Sequence, residues 1–131
     1  MFRRLEDRRP RLVGINHVAL EVANVERTIA FWRQLFDIGL PEREAGAAFV
    51  DLADQFISLF EPYADGGERH FGLVVDDKEA VRWRLEQVAA EILPGKRLDF
   101  RDPDGNRIQV VQYDQVKFEK TDAALRQLGL T

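Results

Sequence analysis

Gly14-Ile15-Asn16-His17-Val18-Ala19-Leu20-Glu21-Val22 decides the fold, because His70-Phe71-Gly72-Leu73-Val74-Val75 repeats its pattern 53 residues later. At that offset His17 meets His70, Leu20 meets Leu73, Val22 meets Val75, Asn24 meets Asp77 and Glu26 meets Glu79. Each stretch alternates apolar with mixed residues, the period of a half-buried strand. Each is followed by a residue suited to cap a helix, Asn24 in the first copy and Asp76 or Asp77 in the second. The first helix is expected over Val25–Phe36, with Val25, Ile29, Trp32, Leu35 and Phe36 as its apolar stripe and Gly39 to end it. Val81, Leu85 and Val88 supply the stripe of the second.

Strand-like segments follow each helix. The first unit has Ala47–Leu52 and Phe56–Glu61, with a weaker stretch at Pro41–Glu44. The second has Glu91–Leu93, Arg97–Arg101 and Arg107–Tyr113, and Asp102-Pro103-Asp104-Gly105-Asn106 supplies hairpin chemistry between the last two. The expected architecture is α+β: two βαβββ modules, 12–62 and 69–115, within one domain spanning 1–131. A linker, Pro62–Arg69, containing Ala64-Asp65-Gly66-Gly67 joins them, and a basic arm precedes the first. A short C-terminal helix, 121–129, is capped by Thr121 or Asp122, carries Ala124, Leu125 and Leu128, and stops at Gly129.

One helix per four strands covers a single sheet face, so two modules leave a cleft. Alternation assigns its lining. Val18, Leu20 and Val22 should face a helix, which turns His17, Ala19 and Glu21 inward. Phe71, Leu73 and Val75 face the helix of the second module, leaving His70, Gly72 and Val74 inward. Phe56, Ser58 and Phe60 point into the cleft with Arg107, Gln109 and Val111, while Glu61 and Gln112 alternate to the helix side. The chain's two histidines thus fall on one face at matched positions. Phe49 and Phe100 join Phe56 and Phe60 as candidate pocket residues, and Glu21, Asp51, Asp99 and Tyr113 are the candidate acid–base groups. Asp102, Asp104 and Gly105 are turn residues with no calcium-ligand series after them.

Composition narrows the chemistry. In 131 residues there is no cysteine, which excludes a disulfide framework, a Cys-rich zinc site and a thiol nucleophile. The net charge of −4 argues against a broad nucleic-acid footprint, although Arg3, Arg4, Arg8, Arg9 and Arg11 against Glu6 and Asp7 make the arm basic. No apolar run reaches the roughly 20 residues of a membrane span, and no signal-peptide pattern opens the chain, so a cytoplasmic protein is expected.

Gly14–Val22, continued by Val25-Glu26-Arg27-Thr28-Ile29-Ala30-Phe31-Trp32, resembles the opening module of the vicinal oxygen chelate superfamily. That group includes glyoxalase I, extradiol dioxygenases, methylmalonyl-CoA epimerase, fosfomycin-resistance enzymes and bleomycin-resistance proteins. Phe100-Arg101-Asp102-Pro103-Asp104-Gly105-Asn106-Arg107-Ile108 resembles its closing hairpin. The resemblance implies a divalent ion (zinc, nickel, manganese or iron(II)) held by the first and fourth strands of each module. By position these ligands are His17, Ser58, His70 and Gln109. Family enzymes usually carry Glu where this chain has Gln109, and many carry Glu where it has Ser58, so a weakly held metal is expected.

The resemblance implies a metal-assisted lyase, isomerase, dioxygenase or thiol transferase acting on a small oxygen-rich substrate, with no organic cofactor. Glu21 is the candidate proton-transfer base. It sits four residues from His17, roughly 13 Å along an extended strand, too far to share one ion. The alternative is a metal-free protein that sequesters an aromatic or cationic molecule; a third reading is a scaffold retained as a regulatory domain. The resemblance also implies a homodimer, with no nucleic-acid or membrane partner.

Overall fold

The repeat is clearest where the helices begin. A computed structural model of the protein describes residues 9–64, 68–116, 122–127 and 129–130. Helix α1 (Val25–Leu35) starts where extended Asn24 accepts a hydrogen bond from the Arg27 N–H at 2.9 Å. Helix α2 (Lys78–Gln87) starts where extended Asp77 accepts one from the Ala80 N–H at 3.0 Å. Both caps satisfy a backbone donor that a helix N-terminus leaves bare. The first helical N–H of each is also served from the end of its module: Glu61 Oε1 accepts from Val25 at 3.3 Å and Gln112 Oε1 from Lys78 at 3.1 Å.

The strands are β1 (Leu12–Glu21), β2 (Glu42–Glu44), β3 (Ala47–Leu52), β4 (Gln55–Phe60), β5 (His70–Val75), β6 (Leu98–Arg101) and β7 (Arg107–Gln112). They form one sheet in the order β2-β3-β4-β1-β5-β7-β6. In each half the first strand lies parallel to the last, β1 to β4 and β5 to β7, and the halves meet where β1 runs antiparallel to β5. The expected strand at Glu91–Leu93 is reduced to an isolated bridge, Ile92 to Phe100. The Asp102 carboxylate organises the β6–β7 turn, accepting from the backbone N–H of Asp104 and Asn106. Helix α3 (Asp122–Gln127) follows. The first eight residues of the basic arm, 65–67 of the linker, and Thr121 and Leu128 of the tail lie outside the described residues. Among the described residues no helix is long and apolar enough to cross a membrane.

Each half has its own apolar core. Val25 and Ile29 of α1 pack on Ala48, Val50 and Leu59, and Leu85 of α2 packs with Val75, Leu98 and Val110. The helices therefore sit over the flanking strands and leave the sheet centre uncovered. Val18 and Leu20 were expected against a helix, yet they remain 37% and 40% exposed. The helical stripes are shorter than expected for a related reason. Leu35, Phe36 and Val88 lie at or beyond the last helical turn and are exposed.

Candidate functional site

His17 and His70 are not opposite one another in the sheet. His17 pairs with Gly72, and His70 pairs with Ala19. Their rings meet because Gly72 presents no side chain: a Cβ there would lie 2.5 Å from His17 Cε1 and Nδ1. The His17 ring thus leans over β5. Phe56, its neighbour on β4, stacks against it at 4.6 Å between centroids. The two imidazoles stand edge to face with Nε2 atoms 3.1 Å apart.

Partners on the far side of each ring fix the tautomers. His17 Nδ1 lies 2.8 Å from Asn16 Oδ1, and His70 Nδ1 lies 2.7 Å from the Glu68 carbonyl oxygen. Both oxygens only accept, so both Nδ1 atoms donate, and in neutral rings both Nε2 atoms then carry lone pairs. Two lone pairs face each other. Burial first, then His70 and Arg97, lower the pKa of His17 to about 4, against smaller opposing effects of Asp99 and Gln109, so the His17 ring is neutral near pH 7.

A third bare donor lies beside them. Gln109 pairs with Gly72 across β5 and β7, and its Oε1 is buried with no hydrogen-bond partner. Two imidazole nitrogens bound to one ion at ~2.1 Å would be about 3.0 Å apart at a right angle and about 3.4 Å apart at the tetrahedral angle. The observed 3.1 Å falls within that range. Two neutral imidazoles and an amide oxygen therefore fit a divalent cation. Among the described residues no three His, Asp or Glu side chains gather as a metal cluster, and the buried oxygen on β7 that lines the cavity with the two imidazoles is the Gln109 amide.

Asp99, opposite Gln109 on β6, is 3% exposed. Its Oδ2 accepts from Arg107 Nε at 2.8 Å, and its Oδ1 is buried and unpartnered. Arg107 also reaches Glu68, which Arg101 binds at 2.6 Å; these two arginines, Arg101 foremost, hold the Glu68 carboxyl below its usual range.

A cavity of about 690 Å³ gathers His17, His70, Gln109, Asp99 and Arg107 with Phe49, Phe56, Ser58 and Phe60, and the loop residues Lys96 and Arg97 stand at it. Of the expected site residues, His17, His70, Gln109, Ser58, Phe56, Phe60 and Arg107 share this cavity. Phe100 does not. It pairs with Ile108 and packs into the α2 core, because its neighbour Asp99 takes the inward face of β6. Glu21 is also elsewhere: it lies beyond the last β1–β5 pair, 4.0 Å from Arg69, in a groove of about 730 Å³ with Ile15, Val18 and Leu20. Asp51 lines another cavity, and Tyr113 opens a 3-10 turn after β7. Sequence reasoning missed the roles of Asn16 and Gly72. A glycine inside a strand was the available signal, since it marks close approach by another group.

Residues 14–110 match the family described as the Glyoxalase/Bleomycin resistance protein/Dioxygenase superfamily. The chain is 26% identical over 113 residues to the glutathione transferase FosA of Serratia marcescens, covering 76% of this chain and 80% of that one. It is 26% identical over 117 residues to the metallothiol transferase FosB of Shouchella clausii, covering 74% and 78%. In fold it resembles the Mn(II)-bound glyoxalase from Novosphingobium aromaticivorans, with TM-score 0.63, 19% identity, and coverage of 86% of this chain and 42% of that one. It also resembles methylmalonyl-CoA epimerase from Mycobacterium tuberculosis, with TM-score 0.57, 17% identity and coverage of 77% and 88%.

Proposed function

Because the chain belongs to the glyoxalase/bleomycin resistance protein/dioxygenase superfamily, also called the vicinal oxygen chelate superfamily, we propose that it is a divalent-metal-dependent enzyme acting on a small oxygen-rich substrate. The observation that carries this reading is the pair of bare Nε2 atoms facing each other at 3.1 Å, each ring held by an acceptor on Nδ1. Histidine ligands are ordinarily oriented in this way. His17, His70 and Gln109 hold the ion, and Ser58, a hydroxyl, adds little as a ligand. When bound, a divalent cation supplies Lewis acidity toward substrate oxygens. The phenyl rings of Phe49, Phe56 and Phe60 exclude water from the substrate, and Lys96 and Arg97 favour one that is anionic. Asp99, which lines the cavity, takes the place of Glu21, which lies outside it, as the candidate proton acceptor. Among lyase, isomerase, dioxygenase and thiol-transfer chemistries, similarity to a glutathione transferase and a metallothiol transferase favours thiol transfer.

The metal-free alternative, sequestration of an aromatic or cationic molecule, fits less well. A binder has no use for two imidazoles whose Nε2 atoms converge at 3.1 Å with each Nδ1 held by an acceptor. The test is metal uptake. Purified protein should bind about one equivalent of manganese, zinc, nickel or iron(II), and His17→Ala or His70→Ala should abolish it. Absence of uptake at micromolar metal would sink the reading.

The active species in this reading is a homodimer. The uncovered centre of the sheet, with Leu12, Ile15, Val18 and Leu20 partly exposed, is flanked by Glu21 and Arg69. A patch carrying both charges suits a two-fold contact with its own copy.

A further inference from the structure

Strand β1 buries two consecutive residues, Asn16 and His17, at 8% and 4% exposure, although the pleat sends neighbours to opposite faces. The pairing with β5 explains it. Ile15 opposes Leu73 and His17 opposes Gly72, so Asn16 is the extra residue of a β-bulge. Gln55 secures the distortion by donating its side-chain N–H to the Ile15 carbonyl at 3.0 Å.

We propose that Asn16 is a positioning residue: the bulge turns its amide inward so that Oδ1, 2.8 Å from His17 Nδ1, fixes the tautomer that leaves His17 Nε2 bare toward His70 and Gln109. The competing state is specific. Without an acceptor at Nδ1, the His17 proton moves to Nε2, where the His70 Nε2 lone pair 3.1 Å away accepts it. The two rings then satisfy each other and the site closes to a cation. Asn16 holds the pair open by keeping that proton on the far side of the ring, as outer-shell partners of ligating histidines do.

This role rests on the metal reading above, and the test separates the two. In ¹⁵N-labelled, metal-free protein at pH 7, long-range ¹H–¹⁵N correlation should show His17 protonated at Nδ1. Asn16→Leu, matched in size, should move that proton to Nε2 and weaken Mn(II) and Zn(II) binding by about 10- to 100-fold. Asn16→Asp, which keeps an acceptor, should restore both. His17 protonated at Nε2 in the unmodified protein would overturn the proposal and needs no variant to fold. So would an Asn16→Leu protein, folded by circular dichroism, that keeps the Nδ1–H tautomer or binds both metals unchanged. If the tautomer responds to Asn16→Leu but the unmodified protein takes up neither metal, the positioning role stands and the enzyme reading fails.

Discussion

At the residue scale, the site depends on what is absent at position 72. A Cβ there would sit 2.5 Å from the His17 ring, so Gly72→Ala must displace either the imidazole or the strand. The expected cost is about 1–3 kcal/mol by urea denaturation, the range for overpacking a close contact, together with loss of metal uptake. Unchanged stability and uptake would mean that the ring does not lean on β5. His17 also makes a prediction about acid. Its pKa is depressed to about 4, below the ordinary 6.5, so the unfolded chain takes up this proton first. Metal-free protein should therefore lose stability as pH falls from about 6.5 toward 4, by roughly 1 kcal/mol per unit. Unfolding curves at pH 7 and pH 5 should show this loss, and His17→Gln should reduce it. An equal loss in both proteins would refute it. Both histidines were legible as inward-facing from two-residue alternation alone. The partners were not, because a bulge resets the phase and nothing in Ile15-Asn16-His17 marks one.

At the element scale, the repeat survives as equivalent hydrogen bonds. Asn24 and Asp77 cap helices in separate halves, with cores that share no residue. Asn24→Ala and Asp77→Ala should each cost about 1 kcal/mol, and the double variant should cost their sum. A coupling above about 0.5 kcal/mol in urea denaturation would show that the halves are not energetically independent at these caps. Capping residues, turn and strand order were readable because each leaves a local signal: an Asn or Asp before an apolar stripe, Pro103 and Gly105 in the hairpin, a period of two along each strand. Lateral register leaves none. Phe100 looked like a pocket residue until the pairing of Asp99 with Gln109 turned it outward. Glu21 alternates correctly with His17 and Ala19, yet β5 ends its pairing at Ala19, so Glu21 passes beyond the cavity.

At the scale of the whole molecule, the placement of the helices over the outer strands produces both the site and the exposed sheet centre. Alternation showed which face Val18 and Leu20 occupy but not what covers it, since the α1 core draws on β3 and β4 and the α2 core on β6, β7 and the end of β5 at Val75, neither on β1. Leu12 is 64% exposed and Ile15 47%, while Val18 and Leu20 stay more than a third open on the same strand. Contiguous apolar surface on a sheet is costly in water and prone to association. Closed two-fold pairing removes it without leaving a second open surface. Sedimentation at tens of micromolar should therefore give twice the 15.1 kDa chain mass. Leu20→Arg, or Val18→Arg should the first prove insoluble, should give monomers that retain the His17–His70 pair, because both side chains point away from the cavity. A monomeric unmodified protein at that concentration would refute the pairing. A variant that dimerises as before would place the contact on another surface, and the exposed Phe31, Leu35, Phe36 and Leu40, in and after α1, would be the next to substitute.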